Sequence, residues 1–541
     1  MPIPGGPRPS EPLARPLPEV ADWAGTTPPP DAQGVVVTGV TLSSRTVRPG
    51  DLYAALPGSR AHGGDFAGAA AQAGAVALLT DAEGARRAAD TGLPALVVPD
   101  PRAVLGGVCA HVYGLPAQRL LMLGVTGTNG KTTTTFLLDA ALRAAGHRTG
   151  MVGTVEIRVG SERVESSGTT PEAPDLHALF AVMLEHGVDT CAMEISSHAL
   201  HQHRVDGLVL DVAGFTNLSQ DHLDYHPSME HYFATKAQLF TAGRTRRAVV
   251  CIDDDWGRRL AGQVARAGQV PLRTVATVPG AGADWQVREA GVVDGHPQAL
   301  VRGPDGVELV LRSPLPGDFN LANSLVALGM LVEAGMPAVT AAEAIAADGH
   351  VPGRMERVSG PGAPGEPLAV VDYAHSPDAV RVALQALQGG GRPLVVVLGA
   401  GGDRDREKRP LMGAAAVHGA DVVVVTDDNP RSEEPAAIRG ALLAGAREAA
   451  GDGSATVLEI ADRRAAIAEG VRRAWGGGVL LVAGKGHEQG QEIAGQVHPF
   501  DDRIVLREAL HAVPAPVPAA ARTASAQVPA GTGTDVEGTD S

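Results

Sequence analysis

The stretch RLLMLGVTGTNGKTTTTFLLDAALRAA, Arg119–Ala145, decides the fold. Leu120, Leu121, Met122 and Leu123 form an apolar run that reads as a buried strand. A glycine-rich turn follows, and from Lys131 an amphipathic helix runs to a C-cap at Gly146. Strand, glycine-rich turn and helix in that order make a cradle for phosphate. Glycine lets the backbone N–H groups of Gly127 to Lys131 come close to phosphate oxygens, and a helix N-terminus favours negative charge. In such a loop Lys131 reaches the terminal phosphates, and the hydroxyl of Thr132 or Thr133 holds Mg²⁺. The spacing departs from G-x-x-x-x-G-K-[ST], since Val125 stands at the first glycine's place with Gly124 and Gly127 on either side. The stretch predicts a nucleotide site made by Gly127, Thr128, Asn129, Gly130, Lys131, Thr132 and Thr133.

A chain of 541 residues exceeds what one core can organise, so three or four domains are expected. The net charge of −16 argues against a nucleic-acid partner and gives no reason to expect a membrane surface. The 3 cysteines, Cys109, Cys191 and Cys251, are too few and too scattered for a disulfide framework or a thiolate metal site. With no signal peptide or long apolar run, a soluble cytoplasmic protein is expected, inserted in no membrane. Residues 1–33 are Pro-rich and 513–541 are rich in Ala, Pro, Thr and Gly; both are expected to be disordered tails.

Three units lie between the tails. Residues 34–115 read as a small α/β domain without a catalytic cluster. Residues 116–351 alternate strands and helices, the pattern of a parallel sheet covered on both faces. In VDTCAMEIS, Glu194 falls near the carboxyl end of a strand, and LDVAGFTNLS leads directly into QDHLDYH with His222. Ligands of open α/β sheets bind beyond those ends. Glu194 is a hard oxygen ligand suited to Mg²⁺. His222 is either a second ligand or a loop histidine bonded to backbone. Helix MEHYFATKAQLFTAG carries Lys236, and a single helix lysine is ordinarily solvated. The acidic turn in VVCIDDDWG either serves adenine and ribose or merely ends a strand. After a β-rich excursion, PGDFNLANS places Asn320 and Asn323 on one face of a helix's first turn. Residues 352–512 read as a doubly wound fold without a phosphate loop. Its polar residues cluster at strand ends: Asp372, His375, Asp403, Arg404, Asp427, Asp428, Asn429, Arg431, Lys485 and Glu488.

These motifs together resemble the Mur ligases, the ATP-dependent amide-forming enzymes of peptidoglycan precursor synthesis. The resemblance rests on GTNGKTT, TTP (Thr169–Pro171), AMEISSHAL, NLSQDHLDYH, YFATK and PGDFNLANSLVA. It covers about 34 to 510, and VPGRMERV, DYAHSPDA, GGDRDREKRP, TDDNPRSEEP and AGKGHEQGQ point to the diaminopimelate-adding branch. The resemblance implies a three-domain α/β architecture: a UDP-sugar-binding domain, a central parallel-sheet P-loop ATPase domain, and a Rossmann-like C-terminal domain for the amino acid. It implies that ATP is held by the phosphate loop with Asn320 and Arg354. It implies Mg²⁺ on Thr132 and Glu194, and a second Mg²⁺ on Glu194, His222 and Lys236. An ammonium cannot bind a cation, so Lys236 would serve as its CO₂-derived carbamate. Lys131, Lys236, Glu194 and His222 are thereby the expected catalytic residues.

The same resemblance assigns UDP-N-acetylmuramoyl-L-alanyl-D-glutamate to Leu42, Ser44 and the Ser59–Arg60–Ala61 turn, with Thr169, Thr170, Ser196, Gln202 and Arg204 holding its remainder. It assigns meso-2,6-diaminopimelate to Arg404, Asp428, Asn429, Pro430, Arg431, Gly484 and Glu488, and implies a monomer with hinges near Pro116 and Pro352–Gly353. Gly168 and Cys251 depart from the family's usual residues. The alternatives are a lysine-adding or folate-polyglutamate ligase, and a P-loop ATPase switch.

Overall fold

The computed structural model describes residues 6–512, apart from 165–167, 294–295, 360–364, 390 and 452–454. Among the described residues, three sheets of four or more strands follow one another along the chain, beside two of two strands each. The first has four parallel strands in chain order, Gly39–Thr41, Asp51–Ala55, Ala77–Thr80 and Ala95–Val97. Apart from Val97 and the half-buried Ala95 at the edge, their Val, Leu and Ala side chains are buried on both faces, against clusters around Leu17 and Val108 and around Ala67 and Ala70.

The second sheet has 11 strands. The phosphate-loop strand Leu121–Thr126 lies inside it, between Thr190–Glu194 and Val212–Phe215, parallel to both. Thr149–Val152 lies beyond the first, and Ala248–Cys251 and Leu272–Ala276 beyond the second. Antiparallel strands finish both edges, Ile157–Val159 with Glu162–Val164, and the meander Trp285–Val293, His296–Arg302, Glu308–Arg312. The β-rich excursion of the sequence is thus one edge of the same sheet. Helices Lys131–Ala144 and Asp318–Glu333 pack on one face and Ala173–Glu185 on the other.

The third sheet has six strands, in the order Glu356–Arg357, Leu368–Asp372, Val479–Ala483, Leu394–Leu398, Val422–Val425, Thr456–Glu459; only the first is antiparallel. The runs LVVVL and VVVV have no polar alternation because helices cover both faces. No described helix is long and apolar enough to cross a membrane.

The expected N-terminal tail is corrected. Strand Arg15–Pro16 pairs antiparallel with Val36–Val37, and helix Leu17–Trp23 buries Leu17, Val20 and Ala21 completely in the first core. Those three positions are spaced i, i+3, i+4, one helical face. The prolines that suggested disorder do the opposite locally, since proline in the first helical turn is pre-set for φ. The segment before it reaches two domains. Arg8 meets Asp51 and Tyr113 of the first, and Ser10 N donates to the Glu185 carboxylate of the second at 3.0 Å. The other expected tail, 513–541, lies outside the described residues.

Candidate active site

The phosphate loop leaves its strand at Gly127 (φ 151°) and enters the helix through Gly130 (φ 86°). A Cβ at Gly127 would collide with the Thr216 hydroxyl, and one at Gly130 with the Asn323 amide, so glycine is required at both. The loop is held open by the segment after the neighbouring strand. Thr128 N donates to Asn217 O at 2.9 Å, Asn129 N to Asn217 Oδ1 at 3.0 Å, and Thr216 Oγ1 to Asn129 O at 2.6 Å. Lys131 folds back on its own loop, with Nζ 3.0 Å from Gly127 O and 2.9 Å from Thr128 O.

Glu194 ends the adjacent strand and is fully buried. Its Oε2 accepts from Thr132 Oγ1 at 3.0 Å and Thr154 Oγ1 at 3.1 Å, and its Oε1 from Thr154 N at 2.7 Å. Thr154 Oγ1 lies 3.0 Å from Thr169 Oγ1, and Thr170 Oγ1 donates to Glu194 O at 2.9 Å. From Thr170 the network continues outward: Ser196 N donates to Thr170 Oγ1 at 3.2 Å, Arg204 to Thr170 O at 3.1 Å and to Gln202 Oε1 at 2.6 Å. The five residues expected to hold the substrate's remainder therefore stand together beside Glu194. Arg102 of the first domain joins them, 3.1 Å from Glu172 and 3.3 Å from Gln202 O.

A cavity of about 120 Å³ opens over this carboxylate, lined by Lys131, Thr132, Glu194, Asp221, His222 and Arg354 among others. Burial, then Lys131 and His198, push the His222 imidazole down to about 3 against the pull of Asp221, so the ring is neutral and one of its two nitrogens keeps a lone pair for coordination. Burial raises the Asp221 carboxyl, but its interaction with His222, then with His375 and Lys408, brings the group below the ordinary carboxylate range. A threonine hydroxyl, two carboxylates and a neutral imidazole line this one cavity and are donor types that suit Mg²⁺, but among the described residues no three histidines, cysteines or acids converge on a single metal position.

The third member of the expected ligand set stands apart. Lys236 is fully buried behind the loop, with Nζ 2.8 Å from Gly127 O, 3.4 Å from Thr126 Oγ1 and 4.8 Å from the Tyr232 ring centre. It does not line the cavity. Burial, then the charge of Lys131, push its amine well below the ordinary lysine range. Far from being a solvated helix lysine, it is held where the neutral amine is favoured.

A second cavity, of about 440 Å³, lies between the central and third sheets and meets the loop at Asn129, Gly130 and Thr133. Asn320 and Asn323 line it, bonded to each other at 3.1 Å. Arg354 crosses from the third domain to give Nη2 to Thr132 Oγ1 at 3.0 Å, its guanidinium 4.4 Å from the Tyr373 ring centre. The acidic turn lines this cavity too, but its carboxylates are already engaged. Asp253 accepts from Thr277 N at 2.9 Å, and Asp254 caps the following helix at Gly257 N, 2.6 Å. Cys251 Sγ rests 3.5 Å from Asp253 Oδ2 at the same wall.

In the first domain, Leu42 and Ser44 follow one strand and the exposed turn Ser59, Arg60, Ala61 follows its neighbour. Both loops leave the carboxyl ends of adjacent parallel strands. In the third domain the strand-end residues form one network. The buried Lys485 Nζ lies 2.8 Å from Asn429 Oδ1, 3.3 Å from Glu488 Oε2 and 3.7 Å from Asp428, and Asn429 Nδ2 donates to Glu488 at 2.7 Å. A Cβ on Gly484 (φ 115°) would strike the Asp428 carboxylate. After the buried Pro430, Arg431 sits at φ 52°, its Nη1 donating to Gly402 O at 2.6 Å and its Nε 3.3 Å from Glu492. Glu433, two residues on, pairs instead with Arg409 at 2.8 Å and Arg406 at 3.2 Å. Arg404 lies near Arg431 across Gly401 and bears electrostatically on His198 of the central domain.

Sequence reasoning missed Thr154, Asp221 and Asn217. Asp221 carried a signal, an acid beside His222 at the same strand end. Thr154 carried none, since nothing local ties it to Glu194 forty positions on.

Residues 36–113, 125–331 and 353–486 match family models described as the Mur ligase family catalytic domain, the Mur ligase middle domain and the Mur ligase glutamate ligase domain. A UDP-N-acetylmuramoyl-L-alanyl-D-glutamate–2,6-diaminopimelate ligase of Streptomyces avermitilis is 54% identical over 513 residues, 94% of this chain and 99% of the relative. A UDP-N-acetylmuramyl-tripeptide synthetase of Leifsonia xyli is 46% identical over 518 residues, 94% of this chain and 99% of the relative. Among solved structures, a 2,6-diaminopimelate ligase of the same description superposes with a TM-score of 0.65 at 31% identity, covering 92% of this chain and 99% of that one. The MurF ligase of Thermotoga maritima in complex with ADP shares the fold, with a TM-score of 0.57 at 20% identity over 87% of this chain and 96% of that one.

Proposed function

The chain belongs to the Mur ligase family, and from that premise we propose that it joins 2,6-diaminopimelate to UDP-N-acetylmuramoyl-L-alanyl-D-glutamate at the expense of ATP. The observation that carries the choice of amino acid is Arg431, a guanidinium set at the mouth of a network of carboxylates and one lysine. A side chain ending in both an ammonium and a carboxylate needs both signs of charge, and a guanidinium receives a carboxylate through paired N–H bonds.

In this reading the γ-carboxylate of the D-glutamyl residue attacks the γ-phosphate of ATP, giving an acyl phosphate and ADP. The amine of diaminopimelate then attacks the acyl carbon, and phosphate leaves. Lys131 and Arg354 neutralise charge gathering on the transferred group, and the loop N–H groups orient it. Glu194 positions Thr132 and, through Thr170, the peptide end of the acceptor. Thr132, Glu194, Asp221 and His222 are the residues that would hold Mg²⁺, which would supply further neutralisation of the charge on the phosphates. Water is kept out when the third domain closes on the central one.

The test is phosphate release from ATP with the UDP-sugar dipeptide and each candidate amino acid, with the product mass recorded. Release that needs both acceptor and diaminopimelate, with a product heavier by one diaminopimelyl residue, is the expected result. Arg431→Ala should raise the KM for diaminopimelate more than about tenfold and leave the KM for ATP unchanged. ATP turnover that ignores both substrates would point to a switch protein. Comparable kcat/KM for lysine would move the chain to the lysine-adding reading, which the Leifsonia relative keeps in view because its name states no amino acid.

A further inference from the structure

Residues 6–11 run as a strap between the first and central domains. On the central side they follow helix Ala173–Glu185 from its first turn to its last. Gly6 lies against the first turn, where a Cβ would stand 3.2 Å from Asp175 Oδ1. Ser10 N and Glu11 N donate to the two carboxylate oxygens of Glu185, at 3.0 Å and 3.2 Å. The lengths agree, since extended chain from Gly6 to Glu11 reaches about 17 Å and helix from Asp175 to Glu185 rises about 15 Å.

On the other side Arg8 enters a socket in the first domain. Its Nη2 lies 3.3 Å from Asp51 Oδ2 and its Nη1 donates to the Tyr113 hydroxyl, while Arg48 Nη2 donates to Gly6 O at 3.4 Å. A Cβ at Gly39 would strike both Arg8 Nη1 and Asp51 Oδ1, so glycine is what admits the guanidinium. The Arg8 and Asp51 side chains keep only 7% and 4% exposure. Leaving Asp51 buried without this partner is costly, so the socket retains the cation. Arg8 also bears electrostatically on Asp175 across the interface.

The elements gripped by the strap carry the two parts of the expected acceptor site. Gly39 and Asp51 open the two strands whose far ends lead into Leu42 and Ser44 and into the Ser59–Ala61 turn. Helix Ala173–Glu185 follows closely on Thr169 and Thr170. Glu172, just before it, meets Arg102 of the first domain at 3.1 Å and Arg204 at 2.8 Å. A swing of the first domain on this helix would therefore change the distance between the two parts.

We propose that Arg8 is a positioning residue for the UDP-sugar acceptor. Seated in its socket, it lets residues 6–11 fix the first domain on helix Ala173–Glu185, and so sets the span between the two parts of the acceptor site. Arg8 lines neither of the two cavities and acts through domain position alone. The inference rests on the ligase reading above, and it gives the N-terminal segment a part in binding one substrate and not the others.

The experiment compares full-length wild type with Arg8→Ala, Arg8→Lys and Glu185→Gln, recording kcat and the KM for the UDP-sugar dipeptide, for ATP and for diaminopimelate. The same four backgrounds carry spin labels at Asp90→Cys and Arg266→Cys, exposed positions on the first and central domains, the three native cysteines being buried. Pulsed electron paramagnetic resonance then reads the distance between the domains. If loss of the strap leaves the productive arrangement populated about a tenth of the time, the acceptor KM rises about tenfold while kcat is kept. Arg8→Ala should show that rise and a broadened distance distribution, and Glu185→Gln a smaller change of the same kind. Arg8→Lys keeps a cation for Asp51 and should restore most of the wild-type behaviour. The KM values for ATP and diaminopimelate should stay unchanged, which a general loss of folded enzyme would not produce. An unchanged acceptor KM in Arg8→Ala and Glu185→Gln, or an ATP KM that rises in step with it, overturns the proposal. A distance distribution as narrow as that of wild type does the same, and Glu185→Gln supplies it even where Arg8→Ala fails to fold. If wild type joins nothing to the acceptor, the ligase reading fails and the proposal with it, a result distinct from unchanged KM values.

Discussion

Arg354 Nη2 donates to Thr132 Oγ1 at 3.0 Å, and the same hydroxyl donates to Glu194 Oε2 at 3.0 Å. A cation of the third domain and a buried carboxylate of the central one are thereby joined through the residue that follows the loop lysine. The bond spans the cleft that the nucleotide must enter, so it ties domain position to phosphate position. Arg354→Ala should lower kcat about a hundredfold, the usual cost of losing one pre-aimed donor at a transferring group. Steady-state kinetics at saturating ATP check this, and a kcat within twofold of wild type would remove Arg354 from the site.

Lys236 makes the carbamate testable without relying on turnover. Its neutral amine is favoured by burial and by Lys131, and only the neutral amine adds CO₂, releasing a proton as the carbamate forms. The ammonium's pKa is lowered, so loading should set in at a lower pH than for an ordinary lysine. Enzyme equilibrated with ¹³C-bicarbonate should show a carbamate carbon signal by NMR that Lys236→Ala lacks, and ligation should disappear in that variant. Full ligation by Lys236→Ala would sink the assignment.

A chain beginning at residue 31 should be less stable than one beginning at residue 6. It loses Leu17 and Val20, both fully buried, each worth about 1.5–3 kcal/mol of burial. It also loses the bonds from Ser10 and Arg8 that tie the first domain to its neighbour and to itself. Calorimetry should show the first transition lowered by about 5 °C or more. An unchanged melting profile would mean that the helix Leu17–Trp23 contributes nothing.

His177 lies fully buried on the helix that carries the first domain, its Nε2 donating to Asp206 O at 3.0 Å. Burial pushes its imidazole down to about 4, below the ordinary value of 6.5. The unfolded chain therefore binds the extra proton first, and stability is lost as pH falls from 6.5 toward 4, by about 3 kcal/mol at most. Urea melts at pH 7.5 and pH 5 should show a smaller loss for His177→Gln than for wild type. Equal losses would place the acid sensitivity elsewhere.

Much of this protein was legible in the amino-acid order. The apolar run before Gly127, the lysine and threonines after it, and Glu194 at a strand's carboxyl end are local patterns. The backbone periodicity that makes the strand and helix also sets the direction of those groups. The alternation from Leu121 to Val482 likewise announces parallel sheets, because strands buried on both faces leave no polar positions.

Tertiary structure alone decided the remainder. Glu194 meets Thr154, Arg354 meets Thr132, and Glu492 rather than Glu433 meets Arg431. Each of these pairs joins loops from different strands or different sheets, where sequence separation carries no geometric information. The N-terminal helix was hidden for a related reason: proline-rich composition signals disorder on average, while three side chains at helical spacing sealed a core that only folding creates. Lys236 shows the same division most plainly. The sequence marks it as one lysine on one helix, and only packing behind the phosphate loop removes the water that would keep it charged.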